Sequence, residues 1–172
     1  MKRHLLLLGL PGSGKSTAGR LAAGLLAAPF VDIDEEIVQI EEYSIARIFT
    51  ERGEAAFREL ERAAVRRALA GTAAVVAPGG GWAAQPGNLE EVAERAFTVY
   101  LDTTPETAAA RAAPEATRPL LEGADPRRRM RELLTAREVF YVRAEARVVT
   151  DGRSPSEIAK DLAALARFSA GW

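Results

Sequence analysis

The sequence predicts an α/β fold in which a parallel sheet lies between two layers of helices, a three-layer α/β/α sandwich. Short, nearly continuous apolar runs alternate along the chain with longer segments whose apolar residues recur at helical spacing. Strands that are covered by helices on both faces give such runs. With 172 residues and 48% hydrophobic content, the chain has room for one buried core, so we expect a single domain over 1–172.

The individual elements follow from local patterns. The run Leu5–Leu8 predicts the first strand, and apolar residues at helical spacing predict a helix from about Lys15 to Ala27, closed by Pro29. Further strands are expected over 30–32, 73–77, 97–101 and 146–149. Further helices are expected over 35–43, 44–52, 54–70, 88–95, 105–112 and 126–145, and after a capping box that opens at Ser154.

The composition limits the partners of this protein. Its 23 basic and 24 acidic residues give a net charge of −1, so no overall field attracts nucleic acid or an anionic membrane. The absence of cysteine excludes disulfides and thiolate metal sites, and no apolar stretch approaches the ~20 residues that cross a bilayer. We expect a cytoplasmic monomer that binds neither nucleic acid nor membranes.

The first strand leads directly into a phosphate-binding motif. Gly9–Ser16 match the pattern G-x-x-x-x-G-K-[ST], in which glycines let backbone N–H groups point at phosphate oxygens. Lys15 is one of only three lysines among 23 basic residues, so its place in the motif is informative. Its charge would face the β- and γ-phosphates, and the Ser16 hydroxyl would bind magnesium. The expected phosphate contacts are Gly12, Ser13, Gly14, Lys15, Ser16 and Thr17.

Two carboxylates follow the second strand. Asp32 and Asp34 stand on alternate residues at the strand's carboxyl end, where ligands collect in parallel sheets. Their mutual repulsion favours a nearby cation, with magnesium near one and a guanidinium near the other. Alternatively, they belong to an acidic first turn with Glu35 that complements the helix dipole.

A bare glycine turn follows the third strand. Gly79, Gly80 and Gly81 expose backbone N–H groups without side chains, so a ligand could approach the main chain closely, although a plain flexible turn remains the alternative. No aspartate follows this strand in the Walker B manner, which leaves the role near the metal to Asp32.

Arginines supply the remaining candidates. Arg137 falls on the apolar stripe of the helix after Pro126, and a buried charge needs a partner or ligand, whereas the cluster at 127–129 is typical of a solvated face. Arg58 is a candidate unless it only pairs on the surface with Glu54 or Glu61. Arg118 lies in a segment over about 114–125 that is rich in proline, glycine and charge; it is either part of a mobile lid or a surface residue.

Several stretches of the chain, taken in order, carry a family resemblance: Gly9–Thr17, Asp32-x-Asp34, Ser44-Ile45-Ala46 with Ile48-Phe49, Gly53-Glu54 with Phe57-Arg58 and Glu61, Gly79-Gly80-Gly81, Arg118-Pro119-Leu120-Leu121, and Ala136-Arg137 with Tyr141. In order and spacing, they resemble the shikimate kinase family over most of the chain. The resemblance implies the nucleoside-monophosphate-kinase fold with sheet order 2-3-1-4-5, and transfer of the ATP γ-phosphoryl group to the 3-hydroxyl of shikimate in aromatic amino-acid biosynthesis.

The resemblance also implies residue roles. Asp34, Arg58, Gly80 and Arg137 would bind shikimate, partly within a helical region over about 34–62, and Asp34 would orient the attacking hydroxyl or take its proton. Nearby residues would be Gly79, Gly81, Phe49, Phe57, Glu61, Pro119 and Leu120. On the ATP side, Lys15 and Arg118 would neutralise the transferring phosphoryl group, Ser16 would bind magnesium and Asp32 would act on the metal through water. The adenine clamp would comprise Arg111, Arg153 and Pro155.

Some positions depart from the family pattern, and other functions stay open. Trp82 follows the glycines where family members usually have a small residue; it would either reshape the acceptor pocket or pack over the next helix. One alternative function is phosphorylation of a related polyol acid such as gluconate. Another is a catalytically silent ATP-binding module, which is disfavoured because Lys15, Asp34, Arg58, Arg118 and Arg137 are all present.

Overall fold

The computed structural model describes residues 1–112 and 125–172, and it confirms the predicted α/β fold. The strands in these ranges are β1 (His4–Leu8), β2 (Phe30–Asp32), β3 (Val75–Ala77), β4 (Ala96–Asp102) and β5 (Ala146–Val149). They form one parallel sheet in the order β2-β3-β1-β4-β5, as the resemblance implied.

Helices connect the strands and cover both faces of the sheet. The helices are α1 (Lys15–Leu26), α2 (Ile33–Glu41), α3 (Ile45–Ala70), α4 (Asn88–Val92), α5 (Pro105–Ala112), α6 (Pro126–Tyr141) and α7 (Pro155–Ser169), with a 3-10 turn at Trp82–Ala84. Asp32 caps α2 by accepting hydrogen bonds from the N–H groups of Asp34 and Glu35, and Ser154 forms the predicted capping box with Glu157 at the start of α7.

The side chains of β1 alternate between two hydrophobic cores. Leu6 and Leu8 pack with residues of α2, α3, α5 and α6, whereas Leu5 and Leu7 pack with residues of α1 and α7. All four leucines are at most 2% exposed. Burial on both faces explains the continuous apolar run and places the carboxyl ends of the strands at one open edge.

The two largest changes from the predicted boundaries are at the ends of helices α6 and α4. Helix α6 ends at Tyr141 rather than near Glu145, because Glu145 pairs with β4: its N–H donates to Thr98 Oγ1 at 3.1 Å, and its Oε2 accepts from the Thr98 N–H at 3.2 Å. Helix α4 ends at Val92 rather than at Arg95, whose carbonyl accepts from His4 N–H at the start of β1. Because Glu145 and Arg95 bind strands of the sheet, the residues just before them do not continue the helices.

A predicted helix break is confirmed at Gly53. Its backbone angles, φ 82° and ψ 170°, interrupt the long helix α3 and separate the two helices expected before and after it.

Of the expected lid segment, residues 114–124 lie outside the described residues. Asp125 is described and caps α6 by accepting from the Arg127 N–H at 3.1 Å.

Candidate active site

The phosphate loop joins β1 to α1 and has a tightly packed backbone. Gly12 and Gly14 have φ angles of 77° and 93°, in the left-handed region that favours glycine. A Cβ on Gly12 would lie 2.3 Å from the Ala108 carbonyl oxygen, so no larger residue fits there. The loop therefore holds its N–H groups at the amino end of α1, where the helix dipole favours an anion.

Lys15 is held against its own loop. Its Nζ donates to the carbonyl oxygens of Gly9 at 2.7 Å and Leu10 at 2.8 Å, and the residue is 8% exposed. Backbone carbonyls thus orient the ammonium group at the mouth of the loop, in reach of a bound phosphate.

Ser16 and Asp32 meet beside the loop. The Ser16 hydroxyl donates to Asp32 Oδ2 at 2.5 Å, while Asp32 Oδ1 accepts from the N–H groups at the start of α2. Asp32 therefore contacts both the phosphate loop and the first turn of α2. A hydroxyl and a carboxylate are oxygen ligands of the kind magnesium prefers, so this pair fits the metal. Among the described residues, no group of three or more histidines and carboxylates could hold a metal alone.

A pocket of about 380 Å³ lies above the loop and brings most of the expected ATP contacts together. Its lining comprises Gly12, Gly14, Lys15, Ser16, Thr17, Ala18, Arg111, Arg153, Pro155 and Ile158. Ser13 is fully buried beneath it rather than lining it. Sequence reasoning missed Ile158, whose only signal was an apolar residue after the capping box.

Thr150 orients Arg111 at the far side of this pocket. The Arg111 guanidinium donates to the Thr150 hydroxyl at 3.2 Å and to its carbonyl oxygen at 3.1 Å. Thr150 is fully buried and was not predicted as a site residue, because nothing local in the sequence links it to Arg111.

The glycine turn after β3 is closely surrounded by charged side chains. A Cβ on Gly79 would lie 2.5 Å from Glu61 Oε1 and 3.6 Å from Asp34 Oδ1. On Gly80 it would lie 3.2 Å from Arg137 Nη1, and on Gly81 it would lie 2.5 Å from Arg58 Nη2. The structure thus brings Asp34, Arg58 and Arg137 to one turn, which is crowded rather than loosely flexible.

Arg58 forms ion pairs with Glu54 and Glu61, as one of its two interpretations expected, but it does not lie on the surface. Its side chain is 11% exposed and donates to Glu61 at 2.9 Å and to Glu54 at 3.1 Å. Glu61, with a fully buried side chain, also accepts from the Gly79 N–H at 3.0 Å. Burial raises the pKa of Glu61 to about 7, against the opposing effect of the Arg58 charge.

Arg137 lies on the buried stripe of α6, as predicted. It is 8% exposed, whereas Arg127 and Arg128 face solvent. Met130, Leu133 and Tyr141 bury the rest of the stripe. Arg118 and its neighbours Pro119 and Leu120 lie outside the described residues.

Trp82 packs into the core rather than lining the acceptor turn. It is 1% exposed within the cluster that contains residues of α3, α4 and α6, and its carbonyl accepts from Asn88 Nδ2 at 2.8 Å. Its indole N–H is buried without a partner among the described residues. Of the two predicted possibilities, the structure shows packing.

Comparisons with known proteins agree on one family. A family model described as shikimate kinase matches residues 11–166. The shikimate kinase of Persephonella marina is 39% identical over 93% of this chain and 96% of its own, and that of Salinispora tropica is 44% identical over 93% and 95%. A structure of shikimate kinase from Acinetobacter baumannii in complex with shikimate is 32% identical, with a TM-score of 0.91 over 96% of this chain and 93% of that one.

Proposed function

This chain belongs to the shikimate kinase family, and we propose that its residues divide the family's reaction between a donor side and an acceptor side. The protein is a phosphotransferase that moves the γ-phosphoryl group of ATP, used with magnesium, to the 3-hydroxyl of shikimate in aromatic amino-acid biosynthesis. The donor side comprises Gly9–Thr17, Asp32, Arg111, Thr150 and 153–155. The acceptor side comprises Asp34, Arg58, Glu61, Gly79–Gly81 and Arg137.

On the donor side, the loop N–H groups and Lys15 bind the phosphates of ATP. Lys15 adds positive charge where negative charge develops on the transferring group. Arg111, Arg153 and Pro155 form the walls against which the adenine packs, which the shared pocket supports. Ser16, directly, and Asp32, through water, would hold magnesium, which would neutralise phosphate charge when bound.

On the acceptor side, the convergence of Asp34, Arg58 and Arg137 on a bare glycine turn is the observation that carries the proposal. The two guanidinium groups bind the carboxylate of shikimate, since planar guanidinium groups pair well with carboxylates. The Asp34 carboxylate accepts a hydrogen bond from the attacking hydroxyl and orients it. A loose transition state needs little more from a base than this orientation.

The remaining expectations extend this proposal. Arg118, within a lid over about 114–125, brings a second positive charge to the transferring phosphoryl group, and 34–62 form the acceptor-binding region of one domain. We propose a monomer in the cytoplasm, and the absence of cysteine, which suits a reducing compartment, supports this location. Among the described residues, no helix has the length and apolar character needed to cross a membrane.

A coupled assay of ADP release tests the proposal with shikimate, with gluconate and without an acceptor. We expect turnover with shikimate, and none above background in the other two reactions. Turnover with gluconate but not shikimate would assign the acceptor side to another polyol acid. ATP binding without ADP release in any reaction would favour a silent nucleotide-binding module. The control variant Glu35→Gln removes an exposed carboxylate next to Asp34 and should leave turnover unchanged.

A further inference from the structure

Tyr141 makes a buried contact with the glycine turn that the reaction described above does not use. The residue is fully buried at the end of α6, and its hydroxyl donates to the Gly80 carbonyl oxygen at 2.5 Å. Its ring stacks on Tyr100 of β4, with centroids 5.2 Å apart and an interplanar angle of 28°. The ring is therefore anchored to the sheet, and the hydroxyl reaches from this anchor to the turn.

The hydrogen bond restricts a flexible part of the backbone. Three consecutive glycines have wide conformational freedom, so something outside the turn must fix its peptide planes. In a planar trans peptide the C=O and the following N–H point in opposite directions. Holding the Gly80 carbonyl toward Tyr141 therefore directs the Gly81 N–H away from α6.

The same helical turn carries Arg137. Residues four apart lie on one face of a helix, so Arg137 and Tyr141 approach the glycine turn side by side. Arg137 Nη1 lies 3.2 Å from the position of a Cβ on Gly80, whose carbonyl Tyr141 binds. The tyrosine hydroxyl and a guanidinium group of the acceptor side thus meet the same peptide of the turn.

Tyr141 stays a donor throughout the neutral range. Burial raises its pKa to about 12, with the Arg137 charge acting in the opposite direction. The phenol therefore keeps its proton near neutral pH, in contrast to the Glu61 carboxyl, whose pKa is raised to about 7.

We propose that Tyr141 is a positioning residue: it holds the Gly80–Gly81 peptide and Arg137 in the relative orientation that binds the acceptor, and it does not touch the substrate itself. This inference rests on the acceptor side proposed above. It gives a defined task to a tyrosine that the sequence placed only in a family motif.

The variant Tyr141→Phe tests the inference because it keeps the ring and removes only the hydroxyl. We expect the KM for shikimate to rise about fivefold, as for the loss of one ordinary hydrogen bond, with kcat and the KM for ATP within about twofold. The rise should be the same at every pH from about 6 to about 9, since the phenol does not titrate there. Thermal unfolding of each variant measures any separate effect on stability.

Tyr100→Phe is the matched control. It removes a hydroxyl from the stacked partner ring, but that hydroxyl donates to Asp102 at 3.2 Å rather than to the turn. We expect an unchanged KM for shikimate in this variant. An active wild type together with an unchanged acceptor KM in Tyr141→Phe, or equal KM rises in both variants, would overturn the inference alone. A wild type that neither binds nor phosphorylates shikimate would overturn the proposed function and the inference with it.

Discussion

The donor and acceptor sides orient their charges in different ways. On the donor side, carbonyl oxygens hold Lys15, and a threonine hydroxyl and carbonyl hold Arg111. On the acceptor side, Arg58 is held by two carboxylates, one of which also binds a backbone N–H of the glycine turn. Carbonyl and hydroxyl groups do not titrate near neutral pH, so the hydrogen bonds that they make do not change with pH there. The ion pair between Arg58 and Glu61, in contrast, depends on whether the Glu61 carboxyl is ionised. The two sides should therefore respond separately to substitution, and the acceptor side should respond to pH.

The largest effect is expected from Lys15→Ala, which removes the central charge of the donor side. We expect kcat to fall about 10²- to 10³-fold, by analogy with the loss of one preorganised electrostatic contact. Shikimate affinity, measured by calorimetry in the absence of ATP, should stay within about twofold. Lys160→Ala removes an exposed lysine of α7 and serves as the control. Weakened shikimate binding in Lys15→Ala would show that the two sides are not separate.

The corresponding substitution on the acceptor side is Arg137→Ala, which removes a buried charge there. We expect the KM for shikimate to rise at least ~30-fold, because truncating one partner of a buried charge pair costs about 2 kcal/mol or more. The KM for ATP should change little. Arg128→Ala on the exposed face of the same helix is the matched control. Equal effects of the two variants on the shikimate KM would remove Arg137 from the acceptor side.

The third prediction concerns pH, through Glu61. Its pKa is raised from 4.5 to about 7 in the folded protein, so between these values the folded state holds a proton that the unfolded state has released. The free energy of unfolding should therefore fall as the pH rises through this range, by on the order of 3 kcal/mol, and level off above it. Urea unfolding at several pH values measures this slope. Glu61→Gln should flatten it, and an unchanged slope in that variant would contradict the assignment.

The smallest effect is expected from Thr150→Val, which removes the hydroxyl that holds Arg111. We expect the KM for ATP to rise about fivefold, in line with a hydrogen bond of about 1 kcal/mol, while the KM for shikimate stays the same. Thr150→Ser keeps the hydroxyl and should restore most of the ATP affinity. Failure of the serine variant to do so would point to lost packing rather than to the orientation of Arg111.

The same comparison explains what the sequence could predict. Phosphate binding by Gly9–Thr17 follows from one contiguous motif whose backbone does most of the binding, and the capping box at Ser154 is equally local. The acceptor side combines segments that lie far apart in the sequence, from Asp34 to Tyr141. The pattern within each segment left the role of that segment open, and only the order and spacing of all segments together indicated it.

The missed features depend on partners that are far away in the sequence. Helix α6 ends at Tyr141 because Glu145 binds Thr98 of β4, and Thr150 matters because Arg111 binds it. The burial of Trp82 follows from helices on three sides of its turn. Helical periodicity and capping rules contain no information about such contacts.

A crystal structure of the protein with shikimate and ADP would test the division into two sides most directly. We expect the shikimate carboxylate within about 3 Å of the guanidinium groups of Arg58 and Arg137, and a ring hydroxyl within about 3 Å of the Asp34 carboxylate. ADP should occupy the pocket above the phosphate loop. Shikimate bound away from Gly79–Gly81, or with its carboxylate turned away from both arginines, would contradict the account.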